Sequence, residues 1–251
     1  MYAEERQQAI AQAVADRGRA SVADLASSLR VTTETIRRDL ALLEGGGALR
    51  RVHGGAVAVG VVETLVGERD RLQVERKERI AAAAVELIPV GRTSLLLDAG
   101  TTTARLAAHL PTDRRLTVFT HGVPVAARIA GQPNVELHLL PGRVRPTTHA
   151  AVGAETLRAL SLLQADVVFL GTNGLNERGA TTPDAEEAAI KQALTGAARR
   201  RIVLTDSSKL GRDELVSFAT LEEIDVVVTD TDATKEQLAP LRSAGLEVVL
   251  A

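Results

Sequence analysis

Residues Ser21–Val57 read SVADLASSLRVTTETIRRDLALLEGGGALRRVHGGAV, and this stretch decides the fold of the first part of the chain. Ser21 and either Thr32 or Thr33 are residue types that begin helices, and each precedes apolar residues spaced three and four apart. Only Arg30-Val31 separates the two predicted helices, which is the short turn of a helix-turn-helix. The stretch therefore predicts two helices joined by a tight turn.

The residues on either side complete a small domain. Glu4–Asp16 has the apolar spacing of a further helix, and Gly18 is suited to end it. Leu49–Val59 alternates apolar and polar residues around Gly54-Gly55, a pattern typical of a hairpin. We therefore predict a winged helix-turn-helix domain over residues 1–60.

The exposed face of the third predicted helix carries hydroxyl and guanidinium groups, which read base edges and contact phosphates in DNA. Residues 1–60 hold eight arginines against seven acidic residues, so any DNA binding depends on placement rather than bulk charge. From these residues alone a second interpretation stays open, a three-helix dimerisation module whose arginines lie on a solvated face. On the first interpretation the DNA-contacting residues are Thr33, Glu34, Thr35, Arg37, Arg38, Arg50, Arg51 and His53.

The amino-acid composition limits the classes of protein to which the whole chain can belong. Its 251 residues are 45% hydrophobic with a net charge of −2, which is ordinary for a folded protein. The chain has no cysteine, and no stretch is long and apolar enough to cross a bilayer. Scarce aromatic residues argue against stacking on single-stranded nucleic acid. We expect a cytoplasmic protein without a metal or a cofactor.

Beyond residue 60 the sequence changes twice. Residues 61–79 are rich in charge and are predicted to form a connector, a solvated helix or strap. Residues 80–251 alternate short apolar runs with amphipathic segments, which predicts an α/β domain with a mostly parallel sheet. The predicted helices are Thr102–Leu110, Pro124–Ile129, Ala185–Ala197 and Lys235–Ala244. The predicted strands are Ser94–Leu97, Leu116–Phe119, Val135–Leu140, Asp166–Leu170, Arg201–Leu204, Val226–Thr229 and Glu247–Leu250.

Polar residues follow several of these strands, where open α/β sheets bind ligands. After Ser94–Leu97 comes Asp98-Ala-Gly-Thr-Thr-Thr, and an anion can bind the free amides of a helix that starts there. Plain helix capping explains the same residues equally well. We take Lys209 and Arg143 as candidate phosphate-binding cations and the carboxylates as partners of sugar hydroxyls. The full candidate set is Asp98, Gly100, Thr101, Thr102, Thr103, Thr120, His121, Arg143, Gly171, Asp206 and Lys209.

The motifs of both parts resemble those of the DeoR family of bacterial transcription regulators. In the first part these are T-I-R-R-D-L at Thr35–Leu40 and H-G-G-A at His53–Ala56. In the second part they are D-x-G-T-T at Asp98–Thr102, D-x-x-F-L-G at Asp166–Gly171, E-x-x-x-K at Glu187 and Lys191, and D-S-S-K at Asp206–Lys209. The family usually has Asn where this chain has His121, and Gly where it has Pro141.

The resemblance implies that Thr33–Leu43 is the recognition helix, with Arg37 and Arg38 as its principal contacts. It also implies an effector domain similar in fold to ribose-5-phosphate isomerase, with a phosphorylated sugar as ligand. We therefore expect a regulator, usually a repressor of a sugar operon, that binds double-stranded DNA as a homo-oligomer and is not an enzyme. Two alternatives are a sugar-phosphate isomerase with a DNA-binding appendage, and a regulator whose second domain serves only for assembly.

Overall fold

The computed structural model describes residues 2–52, 54–58 and 65–251. Two compact units divide the chain: Met1–Glu63 with Pro183–Ala185, and Thr64–Thr182 with Glu186–Ala251. The predicted DNA contact His53 and the first residues of the predicted connector lie outside the described residues. None of the described helices combines the length and the apolar character that crossing a bilayer requires.

The first unit contains three helices and a three-stranded sheet. Its helices are α1 (Ala3–Arg17), α2 (Val22–Leu29) and α3 (Thr33–Gly45). Its strands are β1 (Arg19–Ser21), β2 (Leu49–Val52) and β3 (Gly55–Ala58). The strands are antiparallel in the order β1-β3-β2, so the predicted hairpin gains a third strand that the sequence pattern did not indicate.

Apolar residues spaced along the three helices of this unit form its core. Ile10 and Val14 of α1 pack against Ile36 and Leu40 of α3, and all four are almost fully buried. Thr32 caps α3, because its hydroxyl accepts a hydrogen bond from the amide of Thr35 at 3.2 Å. The winged helix-turn-helix fold is therefore present as predicted.

A seven-stranded sheet forms the centre of the second unit, and every neighbouring pair of its strands is parallel. The order across the sheet is β15-β14-β12-β9-β4-β5-β6. All seven predicted strands occur in it, which confirms the predicted parallel α/β fold. The seven strands are β4 (Thr93–Leu97), β5 (Leu116–Thr120), β6 (Val135–Leu139), β9 (Ala165–Gly171), β12 (Ala198–Leu204), β14 (Val226–Thr229) and β15 (Glu247–Leu250).

The buried strands carry apolar residues on both faces of the sheet. Helices therefore cover both faces. On β9, Val167 and Phe169 belong to one apolar cluster while Val168 and Leu170 belong to the other. The helices of the unit are α4 (Val66–Arg71), α5 (Val74–Val85), α6 (Thr101–Ala108), α7 (Val123–Ile129), α8 (Ala154–Leu160), α9 (Ala185–Gly196) and α10 (Lys235–Ser243).

Short strands outside the large sheet were not predicted. They form a hairpin of β7 (Arg143–Val144) and β8 (Ala151–Val152), and a small sheet of β10 (Gly174–Asn176), β11 (Gly179–Thr182) and β13 (Val216–Ala219). Two short 3₁₀ turns, Ser207–Lys209 and Leu221–Glu223, follow β12 and β13. The small sheet places the loops after β9 and β12 next to each other.

The segment predicted as a connector is structured where it is described. Helix α5 begins inside this segment, and the side chain of Lys77 on it is buried. Helix α4 is tied to that unit by a hydrogen bond from the amide of Val66 to the carbonyl of Thr147, at 2.8 Å. The described part of the connector is therefore built into the second unit rather than solvated on all sides.

Candidate functional site

The exposed face of α3 presents the residues that the sequence nominated for DNA contact. Thr33, Glu34, Arg37 and Arg38 are exposed, and Thr35 is half-buried. Arg37 makes a long ion pair with Glu34, 3.5 Å between Nη1 and Oε2, and both side chains remain exposed. Within the described residues Arg38 has no ion-pair partner, so its guanidinium is available to a phosphate or a base edge.

The third member of the Arg-Arg-Asp motif faces inward. Asp39 is buried and accepts hydrogen bonds from Nε and Nη2 of Arg6, at 2.6 and 3.2 Å, and from Nε2 of Gln7 at 3.0 Å. Burial by itself would raise the pKa of Asp39, but the hydrogen bonds from Arg6 and Gln7 lower it below its ordinary value. Asp39 therefore fixes α3 against α1, and the two arginines before it are left to project outward.

Two further residues that were predicted to contact DNA lie in the wing, which is the hairpin of β2 and β3. Arg50 and Arg51 are neighbours on β2, so their side chains leave opposite faces of the strand, and both are exposed. The backbone amide of Arg51 donates to Glu44 of α3 at 2.7 Å, and the guanidinium lies 3.6 Å from the same carboxylate. Glu44 thus holds β2 close to α3.

A separate pocket lies in the second unit, at the carboxyl ends of the adjacent strands β4, β9 and β12. Its volume is about 400 Å³, within the range of small-molecule sites. The predicted residues that line it share positions just after a strand, and they are Gly100, Thr101, Thr102, Thr103, Gly171, Asp206 and Lys209.

The N-terminus of α6 forms one wall of this pocket. The first amides of a helix have no partner within the helix, and the helix dipole places partial positive charge there. Thr103 is fully buried, and its hydroxyl donates to the carbonyl of Gly100 at 3.0 Å, which closes the first turn. Thr101 and Thr102 line the pocket, and free amides at the start of a helix are groups to which an anion can bind.

A buried ionic cluster supports that wall from behind. Asp98 is fully buried, and its Oδ2 accepts hydrogen bonds from the Lys191 ammonium and, at 2.8 Å, from the amide of Gly171. His121 lies with Nε2 2.9 Å from the other oxygen of Asp98 and Nδ1 2.8 Å from the carbonyl of Ala151. Burial by itself would raise the pKa of Asp98, but Lys191 and His121 lower it. Asp98 is therefore a carboxylate that orders the pocket floor.

Basic side chains outnumber acidic ones around the pocket. Its lining includes Arg69, Lys77, Lys191, Lys209 and Arg212, against Glu187, Asp206 and Glu214. Burial and the nearby Lys209 lower the pKa of Lys77 to about 8, and burial also lowers the pKa of Lys209. A bound anion would stabilise the charged form of both ammonium groups, so the arrangement favours a negatively charged ligand.

Four predicted effector residues do not line this pocket. Asp98 and His121 lie behind its wall, with their polar atoms bonded to protein. Thr120 is fully buried, and its hydroxyl accepts from the amide of Gly122. Arg143 is exposed on β7, where it pairs with Glu186 at 2.5 Å. Asp98 and His121 follow strands as expected, whereas Thr120 is the last residue of β5 and Arg143 lies on β7. None of the four is among the residues that line the cavity.

Several lining residues were not among the predicted candidates. Glu187 and Lys191 were noted only as part of a family motif, yet they lie one helical turn apart on α9 and both line the pocket. Arg69 and Lys77 belong to the segment predicted to be solvated. A signal for Lys77 was present, because it lies in helical phase with the apolar Ile80, Ala81 and Ala84 and is buried with them.

Comparisons with known proteins agree with both parts of this description. Residues 6–60 match the DeoR-like helix-turn-helix domain, and residues 72–231 match the DeoR C terminal sensor domain. The chain belongs to the DeoR family. It is therefore a DNA-binding transcriptional regulator with a sensor domain, and not an enzyme.

Relatives match over almost the full length. The chain is 37% identical to the HTH-type transcriptional regulator GlpR of Haloferax volcanii, over 99% of this chain and 98% of that protein. It is 34% identical to a putative aga operon transcriptional repressor of Escherichia coli O157:H7, over 98% and 93%. It is 35% identical to the lactose phosphotransferase system repressor of Staphylococcus epidermidis, over 89% and 90%.

Solved structures resemble the chain only in part. Ribose 5-phosphate isomerase A of Methanocaldococcus jannaschii is 16% identical, with a TM-score of 0.39 over 53% of this chain and 52% of that one. The beta subunit of eIF2B from Chaetomium thermophilum is 14% identical, with a TM-score of 0.42 over 61% and 48%.

Proposed function

We propose that this regulator is a repressor of a sugar-metabolism operon and that a phosphorylated sugar, bound in the α6 pocket, releases it from DNA. The observation that carries the proposal is the convergence of basic side chains on the N-terminus of α6 in a cavity of about 400 Å³. The names of relatives, a lactose phosphotransferase system repressor and a putative aga operon repressor, support sugar metabolism as the controlled process.

Within the pocket the two halves of the ligand would find different partners. The phosphate would lie against the Thr101 and Thr102 amides, near Lys77 and Lys209. Sugar hydroxyls would face other polar side chains of the lining, among them Asn173, Glu187 and Asp206. A free phosphate has no use for that second group, so a phosphorylated sugar fits the lining better than an inorganic anion.

Thermal unfolding in the presence of candidate ligands tests this proposal. Fructose 1-phosphate, glucose 6-phosphate and ribose 5-phosphate are each compared with the unphosphorylated sugar. A ligand present at a hundred times its Kd adds about 2.7 kcal/mol to the stability of the unit that binds it. We expect the shift from a phosphorylated sugar only, and its loss in Lys209→Ala. No shift from millimolar concentrations of any sugar phosphate would favour the assembly-only alternative.

Oligomerisation and location belong to the same proposal. Residues 1–60 have a near-neutral charge, so a single winged helix-turn-helix domain would bind DNA weakly. We therefore propose a homo-oligomer in which two of these domains contact two half-sites. For a dimer the half-sites would lie roughly 34–36 Å apart. Such a regulator would work in the cytoplasm, beside the chromosome. Light scattering on the purified protein, alone and with operator DNA, measures the number of subunits.

A further inference from the structure

Helix α4 is the first described element after residue 58, and it borders the pocket. Arg69 on this helix, and Leu72 and Gln73 directly after it, belong to the pocket lining. The chain that leads to the DNA-binding unit enters the second unit through α4. An interaction that changes α4 therefore acts directly on that chain segment.

Three contacts fix where α4 lies within the second unit. The amide of Val66 donates to the Thr147 carbonyl at 2.8 Å. The carboxylate and carbonyl of Asp70 accept hydrogen bonds from Arg105 of α6, and the ammonium of Lys77 on α5 donates to the carbonyl of Arg69. Both α6 and Lys77 also line the pocket, so α4 is attached to the groups that we expect to hold the anion.

Arg69 is the one residue of α4 itself that lines the pocket, among the described residues. Its Nε is buried and has no hydrogen-bond partner within the described part of the chain. A buried guanidinium nitrogen without an acceptor is unfavourable, and an anion in the pocket would supply the acceptor. The unsatisfied donor is a second observation, independent of the helix N-terminus, that points to a ligand.

A helix of six residues has little stability of its own, because helix nucleation fixes several residues for each hydrogen bond formed. Its order depends on interactions with the surrounding structure. A ligand that bonds to Arg69 adds such an interaction only in the bound state, which is the condition for coupling ligand binding to a conformational change.

We infer that Arg69 transmits effector binding to the DNA-binding unit, by tying α4 to the anion held at the α6 N-terminus. The inference rests on the proposed function, since it needs an anionic ligand in the pocket. It makes Arg69 a coupling residue as well as a binding residue. Its removal abolishes the response to ligand even where ligand occupies the site.

Hydrogen exchange with inorganic phosphate as the probe separates binding from coupling. The full chain is compared in phosphate and in chloride at equal ionic strength, as wild type, Arg69→Gln and Arg71→Gln. Arg71 is the matched control, an exposed arginine on the same helix that does not line this pocket. We expect phosphate to protect Leu65–Leu72 and Thr101–Thr103 in the wild type and in Arg71→Gln. In Arg69→Gln only Thr101–Thr103 should be protected.

Other outcomes would overturn the inference in distinguishable ways. Wild-type protection at Thr101–Thr103 alone would leave the pocket as an anion site and remove the role of α4. Equal protection of α4 in Arg69→Gln would show that another group binds the anion to this helix. Protection of neither segment in the wild type would refute the anion pocket, and with it both the proposed function and this inference.

DNA affinity provides the second readout. A duplex selected from random-sequence DNA by the purified protein is titrated with and without the sugar phosphate that gives the largest thermal shift. Typical couplings change affinity about 5- to 150-fold, and we expect a change of that size in the wild type and in Arg71→Gln. Arg69→Gln should bind ligand about 10- to 100-fold more weakly. At saturating ligand it should show less than a twofold change in DNA affinity; a full wild-type response would refute the inference.

Discussion

Replacing Asp98 by Asn removes one negative charge from the floor of the pocket without changing its shape. The carboxylate is fully buried, between the Lys191 ammonium and the amide of Gly171 on one side and His121 on the other. The substitution leaves the ammonium buried without its anion. It also weakens the hydrogen bond that the remaining oxygen accepts from the Lys191 ammonium, because an amide oxygen carries no net charge. Both effects destabilise the folded second unit.

The expected size of the effect follows from that geometry. Removing one partner of a buried ion pair costs about 3–5 kcal/mol. Asp98 and Lys191 are both buried, so water cannot take the place of the missing carboxylate. The destabilisation by Asp98→Asn should therefore lie within this range.

Urea unfolding of the wild type and of Asp98→Asn, followed by circular dichroism, measures this loss of stability, since the chain has no tryptophan for fluorescence. The double variant Asp98→Asn/Lys191→Met serves as the control. Removing both partners of a buried pair is often nearly neutral, so the double variant should regain most of the stability that Asp98→Asn removes. If the two substitutions instead destabilise additively, the ion pair does not have the role given to it.

Three further predictions follow from the two sites. Arg38→Ala should weaken operator binding and reduce the dependence of log K on log salt by about 0.9 for each phosphate that Arg38 neutralises, as measured by fluorescence anisotropy at several salt concentrations. Asp39→Ala should destabilise the first unit, because Arg6 and Gln7 then lose the carboxylate that accepts their hydrogen bonds, and proteolysis should cut within α1–α3 first. Titration calorimetry should show effector affinity falling above pH 8, because Lys77, with its pKa lowered to about 8, is charged below that pH and neutral above it; Lys77→Met should lack this step.

Local patterns were enough to predict most of the fold. The apolar spacing along Thr33–Gly45 indicates a helix and the face that it buries, and the short continuous apolar runs indicate strands that are buried on both faces. The short β7–β8 hairpin and the small β10-β11-β13 sheet were missed. Their strands have two to four residues, which is too few to show a period.

The position of a residue after a strand predicted some of the residues that line the pocket, but not all of them. Gly100, Thr101 and Lys209 line it as expected, because the carboxyl ends of neighbouring parallel strands meet at one edge. Which way a side chain turns there is set by its partners in space. Asp98 turns inward to Lys191, and Arg143 turns outward to Glu186.

Helix α3 and the strands of the parallel sheet were determined by the sequence itself, because the apolar patterns that create them lie within single segments. Tertiary structure alone decided that Asp39 faces Arg6, and that Arg69 and Lys77 of a charged segment line the pocket beside α6. Such pairings join residues far apart in the chain or on separate helices. Charge in a sequence shows only that a residue needs water or a partner, and the packing of helices and loops determines which of the two it finds.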